Sequence, residues 1–135
     1  MILCQAFVNE GFPDLASGFM DGAAAVVRRH GGILIADEVQ SGFGRIGSHF
    51  WGHQRLGFTP DAVTMGKPMG NGHPVAALAS SADIMAAFRR AFRCFNTFGG
   101  NPVSCVAANA VMGVLLSEDL PARAAATGAY LRAGL

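Results

Sequence analysis

The segment Gly31-Gly32-Ile33-Leu34-Ile35-Ala36-Asp37-Glu38 decides the fold. Ile33 to Ala36 is an unbroken apolar run, the pattern of a strand covered on both faces in a parallel sheet, and it ends in two acids. Immediately upstream, Phe19 to His30 carries helix-forming alanines, with Arg28 and Arg29 in the last turn where cations suit the helix dipole, and Gly31-Gly32 stops it.

Working outward, Ile2 to Val8 reads as a short buried strand, followed by a connection containing Gly, Pro and Asp from Asn9 to Ser17. On the other side, Val39 to Gly47 reads as a loop with glycines at 42, 44 and 47, and a short aromatic-rich helix is expected around Ser48 to Leu56. Asp61 to Met65 is the next strand, Gly66 to Pro74 a glycine-rich loop, Val75 to Ser80 a further apolar strand and Ala82 to Arg93 a helix. Asn101 can cap and Pro102 suits the first helical position, so a helix is expected from there to about Leu116, and another from Pro121 to the end. The alternation of strands and helices implies an α/β fold, a mostly parallel sheet with helices on both faces.

At 135 residues the chain has the size of one domain, able to bury roughly two-thirds of the surface its unfolded form exposes. Charged residues make up only 14% of it, against about 25% in an average protein, while hydrophobic residues reach 51%. Part of the surface is therefore expected to be covered, either by more of the same polypeptide or by a partner subunit. The net charge of +1 and the scattered arginines form no basic stripe, which argues against nucleic acid. Cys4, Cys94 and Cys105 are odd in number and widely spaced, which argues for a reducing compartment and for buried structural thiols. No apolar run approaches the ~18 residues of a membrane span, and Met1 to Gln5 lacks the charged flank of a signal peptide. The expectation is a soluble cytoplasmic protein without a membrane partner.

Nine of the ten basic residues are arginine, and Lys67 is the single lysine. In an open parallel sheet, ligands sit beyond the carboxyl ends of the strands. Asp37 falls just past the end of one expected strand and Lys67 just past the end of the next, so both are expected to face one crevice. A carboxylate and a lone amine there suit pyridoxal phosphate, which needs an amine for a Schiff base and an acid to keep its ring nitrogen protonated as an electron sink. Each residue also has a plainer reading. An Asp-Glu pair after a strand commonly serves as a helix cap or a solvated turn, and one lysine among nine arginines can arise by chance.

Three stretches, Leu34-Ile35-Ala36-Asp37-Glu38-Val39-Gln40-Ser41-Gly42-Phe43-Gly44-Arg45, Pro60-Asp61-Ala62-Val63-Thr64-Met65-Gly66-Lys67 and Asn96-Thr97-Phe98-Gly99-Gly100-Asn101-Pro102, together resemble the signature of class III pyridoxal-phosphate aminotransferases, in that order and at those separations. The resemblance implies the large domain of the aspartate-aminotransferase-like type I fold, of which residues 1–135 would be the second half, without the upstream half and the small C-terminal domain. It further implies that Asp37 pairs with the ring nitrogen, Gln40 hydrogen-bonds the ring hydroxyl, Val39 packs on a ring face and Lys67 forms the Schiff base. Thr97 would reach the cofactor phosphate of the neighbouring subunit in a homodimer that builds each active site across its interface.

Gly66 to Ala76 is similar to the branch holding alanine–glyoxylate aminotransferase-like proteins and phospholyases of phosphorylated amines. The activity implied is transfer of an amino group from an amino donor to a keto acid. A phospholyase, or a truncated remnant without turnover, stands as the alternative. The chain alone is expected to turn over little substrate.

The remaining signals are weaker. His49 and His53 lie four apart on the expected short helix, but no third ligand accompanies them, so packing of a helix face is expected rather than a metal. Gly66 to Gly72 lacks the lysine-serine or lysine-threonine ending of a nucleotide-binding loop. Arg45 could contact substrate or phosphate, or equally shape its own loop through an ion pair.

Overall fold

A computed structural model describes residues 1–16 and 18–135; Ser17, the last residue of the expected connection, lies outside the described residues. Four strands, β1 (Ile2–Cys4), β2 (Ile35–Asp37), β3 (Ala62–Met65) and β4 (Ala77–Ser80), lie side by side in chain order. The first three are parallel and β4 runs antiparallel to β3. That reversal follows from the short connection between Met65 and Ala77, which holds no crossover helix, whereas a parallel return needs a dozen or more residues. The fold is the expected α/β arrangement with a mostly parallel sheet.

Register sorts the side chains onto two faces. Leu3, Ala36 and Val63 stand opposite one another across the three parallel strands. With Leu34 they meet Met20, Ala24 and Val27 of helix α1 (Phe19–Arg29), and Phe58 completes this core. Met20, Ala24 and Val27 recur at the spacing of one helical face, so α1 is amphipathic because of where its apolar residues fall. Leu34 is 1% exposed, a burial that contributes roughly 1.5–3 kcal/mol. Gly31 ends α1 with φ at +71°, and a Cβ on Gly32 would stand 3.0 Å from Val27 Cγ1. The alternate row, Cys4, Asp37, Thr64 and Leu78 in register, points to the other face and runs from half-buried to exposed.

Several boundaries differ from the sequence expectation for identifiable reasons. β1 stops at Cys4 rather than Val8, because Phe7 turns left-handed (φ 45°) and Val8–Glu10 forms a 3₁₀ turn. β2 begins at Ile35 because the Leu34 N–H donates to the Asp61 carboxylate at 2.8 Å, and it extends to include Asp37. Helix α2 covers only Gly52–Arg55, so His49 is not on it. Val75 and Ala76 belong to the loop before β4.

Helix α3 (Ala82–Ala91) is capped by Ser81. Helix α4 (Pro102–Ser117) starts where expected, with Asn101 Oδ1 accepting from the Ser104 N–H at 2.9 Å, and α5 (Leu120–Ala133) follows it. These last two helices pack against the loops that follow β2 and β3. A Cβ on Gly47 would meet Ala125 of α5 at 2.7 Å, and His73 Nε2 lies 2.9 Å from Ser104 Oγ of α4.

Large apolar side chains stand on the surface, Phe95 at 87% exposure and Phe98 at 81% among them, in keeping with the shortage of polar residues. Cys94 and Cys105 are exposed and Cys4 is half-buried, so the expectation of buried structural thiols is corrected. Cys94 lies beyond the end of α3, and Cys105 stands on an outward face of α4. Among the described residues no single helix is long and apolar enough to cross a membrane.

Candidate active site

The site begins at the carboxyl ends of β2 and β3. Asp37, the last residue of β2, is in register with Thr64 on β3. Its Oδ1 accepts from the Thr64 hydroxyl at 3.2 Å and from the Val39 N–H at 3.1 Å. Oδ2 accepts no hydrogen bond among the described residues. One oxygen is thus fixed by the protein while the other is available.

Residues alternate in direction along a strand, so Glu38 points the opposite way from Asp37, into the domain. It is fully buried. Its Oε2 accepts from Ser41 Oγ and from the Gly52 N–H, and its Oε1 lies 2.9 Å from both the His53 N–H and His53 Nδ1. Ser41 Oγ also lies 3.2 Å from Gln5 Oε1. A carboxylate can only accept, so His53 must carry a proton on Nδ1 for that bond. The histidine expected only to pack therefore has a polar partner, while His49 sits apart beside Ser48. No group of three or more candidate metal ligands occurs among the described residues.

Between these anchors the chain turns sharply. Gly42 N–H donates back to Glu38 O at 3.0 Å, and a Cβ on Gly42 would press on that oxygen and on the Trp51 ring at 2.9–3.0 Å. Val39 and Gln40, in the middle of the turn, line a cleft of about 400 Å³ together with Arg45 and Lys67, walled by Ala6, Val8, Phe12 and Ile46. Val39 lies against Gly66, the residue before Lys67.

Lys67 opens a 3₁₀ turn, Lys67–Met69, and is exposed in this chain. The structure therefore gathers Val39, Gln40 and Lys67 on one cleft. Asp37 is not among the cleft-lining residues; it sits at the adjacent strand end, joined to Val39 by its own hydrogen bond. Arg45 is exposed, forms no ion pair among the described residues, and also borders a second cavity of about 470 Å³ against α4 and α5.

Thr97 stands elsewhere, exposed on the loop before α4 and outside both cavities. Asn96 Oδ1 shapes that loop by accepting from the Phe98 and Gly99 N–H groups at 3.0 and 2.9 Å. The Lys67 loop is tied to the same helix start, because His73 meets Ser104 and Ser104 is bonded to Asn101.

The network of Glu38, Ser41, Gln5 and His53 carries no motif of its own. Strand alternation was the available signal, since two adjacent acids at a strand end must face opposite ways and the inward one needs buried donors.

The aminotransferase class-III family profile matches residues 8–135, and the chain belongs to that family. It is 45% identical over 121 residues to human mitochondrial alanine–glyoxylate aminotransferase 2, covering 90% of this chain and 24% of the relative. It is 56% identical over 99 residues to ethanolamine-phosphate phospho-lyase homolog 1 of Caenorhabditis elegans, covering 72% of this chain and 21% of that protein. Among solved structures it is similar to a phospholyase from Arthrobacter in complex with phosphoethanolamine, at 49% identity and a TM-score of 0.93, over 97% of this chain and 31% of that one. The chain thus spans about a quarter of the length of the curated relatives it matches.

Pyridoxal phosphate is the cofactor of this family. The residues present fit part of it: an available carboxylate oxygen for a ring N–H, an amide for a ring hydroxyl, an apolar side chain for a ring face and one primary amine.

Proposed function

We propose that this chain supplies the lysine-bearing half of the large cofactor-binding domain of an aminotransferase that moves an amino group from an amino donor to a keto acid. When bound, pyridoxal phosphate supplies an aldehyde that captures amines and a protonated ring that accepts electrons as a proton leaves the substrate carbon. Asp37 would hold the ring N–H, with Oδ2 available for it, while Thr64 and the Val39 amide keep the carboxylate from rotating. Gln40 orients the ring through its hydroxyl, and Val39 excludes water from one face. Lys67 would hold the cofactor through its amine and, as the single lysine on the cleft wall, would be the group that moves a proton at the substrate carbon. The observation that carries this reading is the cleft at the ends of two neighbouring parallel strands, with Val39, Gln40 and the single lysine on its wall.

Thr97 belongs to the neighbouring subunit's cofactor phosphate in a homodimer. Its exposure, beside Phe95 and Phe98 on a surface suited to burial, supports that reading. The protein works in solution in the cytoplasm on small amino and keto compounds.

A second reading is favoured by the likeness to the Arthrobacter phospholyase and the nematode phospho-lyase homolog. Here the same residues remove a proton, and phosphate leaves the substrate. Supplying the full-length parent with amino donors and pyruvate or glyoxylate, and separately with phosphoethanolamine, separates the two. Aminotransfer predicts a new amino acid and a keto or aldehyde product without free phosphate. Release of phosphate and ammonia from phosphoethanolamine selects the lyase, and no product from either set contradicts both.

A further inference from the structure

Glu38 lies on the side of β2 turned away from the cleft, yet it controls the turn that carries the cleft residues. Four donors converge on its carboxylate, from Ser41, Gly52 and twice from His53. Two of them are N–H groups at the start of α2, so Glu38 fixes that helix to the end of β2. The Ser41 bond closes the turn from inside, while the Val39 N–H bond to Asp37 closes it from the cleft side. Val39 and Gln40 are thus held between two carboxylates that face opposite ways.

The surroundings allow little relief. A Cβ on Gly52 would stand 2.7 Å from Ser41 Cβ and Oγ and 2.8 Å from Gln5 Cβ, so Ser41 is wedged between α2 and the end of β1. A shift of Ser41 falls on Val39 and Gln40, since on the far side the Gly42 N–H is bonded to Glu38 O and Trp51 leaves no room there even for a Cβ.

We propose that Glu38, acting through Ser41 and the start of α2, is a positioning residue that sets the placement of Gln40 and hence the affinity of the site for pyridoxal phosphate. This rests on the reading of the cleft given above. Glu38 touches neither cofactor nor substrate. Its effect passes through the turn, so loss of the clamp and loss of the Gln40 amide must overlap rather than add.

The test is a double-variant cycle in the holoprotein: Ser41→Ala, Gln40→Ala and the pair, each titrated with pyridoxal phosphate by absorbance, with unfolding followed in parallel. Ser41→Ala removes one hydroxyl and leaves the other Glu38 bonds. It is expected to raise the cofactor Kd about 3- to 10-fold, the equivalent of one misplaced hydrogen bond, without a matching change in unfolding midpoint. In the Gln40→Ala background the same change is expected to add less than about 2-fold.

Glu38→Gln, which turns one acceptor into a donor facing N–H groups, is expected to weaken binding further and to shift the bound cofactor's absorbance band. Equal losses from Ser41→Ala in both backgrounds, no loss at all, or outright unfolding of Ser41→Ala would overturn the proposal. A wild-type protein that binds the cofactor normally while the cycle is additive sinks only this inference. A wild-type protein that takes up no cofactor at Lys67 sinks the reading of the cleft with it.

Discussion

Thr64 donates its hydroxyl to Asp37 Oδ1 from the register position directly across the β2–β3 pair, and in doing so leaves Oδ2 as the carboxylate's available face. Asp37 ends β2, and Thr64 stands one residue before the end of β3 and three before Lys67, so the pairing ties the acid to the strand that delivers Lys67. Sheet register therefore fixes where the acid stands relative to the strand that leads into the Lys67 turn.

Replacing Asp37 by Asn keeps an oxygen for Thr64 and the Val39 amide but removes the charge. Stability is expected to change by less than about 1 kcal/mol, since both hydrogen bonds can be retained. Cofactor-dependent turnover is expected to fall about 10²- to 10³-fold, the range for losing one preorganised electrostatic partner. Urea unfolding and the rate of a single amino-donor half-reaction measure the two separately.

Glu38→Ala leaves the buried Gly52 N–H and the His53 N–H without acceptors and the Ser41 hydroxyl with Gln5 Oε1 alone. A cost of about 3 kcal/mol or more is expected, because each stranded buried donor costs roughly 1–3 kcal/mol. Chemical denaturation of the variant beside Asp37→Asn provides the check, and Glu38→Ala should be much the less stable of the two.

Adding a single methyl at Gly52 drives a Cβ to 2.7 Å from Ser41 and 2.8 Å from Gln5. Gly52→Ala is expected to destabilise by about 1–3 kcal/mol, as overpacking does. It should also weaken cofactor binding, because Ser41 is what the methyl displaces. Unfolding midpoint and cofactor Kd are both expected to move.

How much of this was legible in the sequence depends on which force placed each residue. The order of strands and helices followed from apolar runs and caps: β2 (Ile35–Asp37) forms at the end of the apolar run that starts at Ile33, and Asn101 caps α4 as its type predicts. The antiparallel β4 was not legible as such, since its direction depends on connection length rather than on its own residues. Phe7 in a left-handed conformation ended β1 early, which no apolar pattern reveals. At the site, Val39, Gln40 and Lys67 share a cleft because they follow neighbouring parallel strand ends, which strand order and the location rule anticipate. The inward carboxylate of Glu38 was hidden because its partners at Gln5, Ser41 and His53 are scattered along the chain.

Thr97→Ala offers a test of the shared-site reading. Thr97 is exposed, so unfolding of the chain should be unaffected, while the cofactor Kd should rise about 3- to 10-fold for the loss of one phosphate contact. In mixed dimers of Thr97→Ala and Lys67→Ala subunits, the site that keeps Lys67 draws an intact Thr97 from its partner and should bind cofactor as the unaltered protein does, while the other site has lost both residues. Weakened binding at the site that keeps Lys67 would contradict the cross-interface role.

The most direct measurement is borohydride reduction of the protein mixed with pyridoxal phosphate, followed by peptide mass mapping. Lys67 is the single lysine of the chain, so a stable pyridoxyl-phosphate adduct has few places to form. The account predicts one adduct per chain on the peptide that contains Lys67, and none on that peptide after Lys67→Ala. Labelling confined to the amine of Met1, or no labelling of wild-type protein, would contradict it.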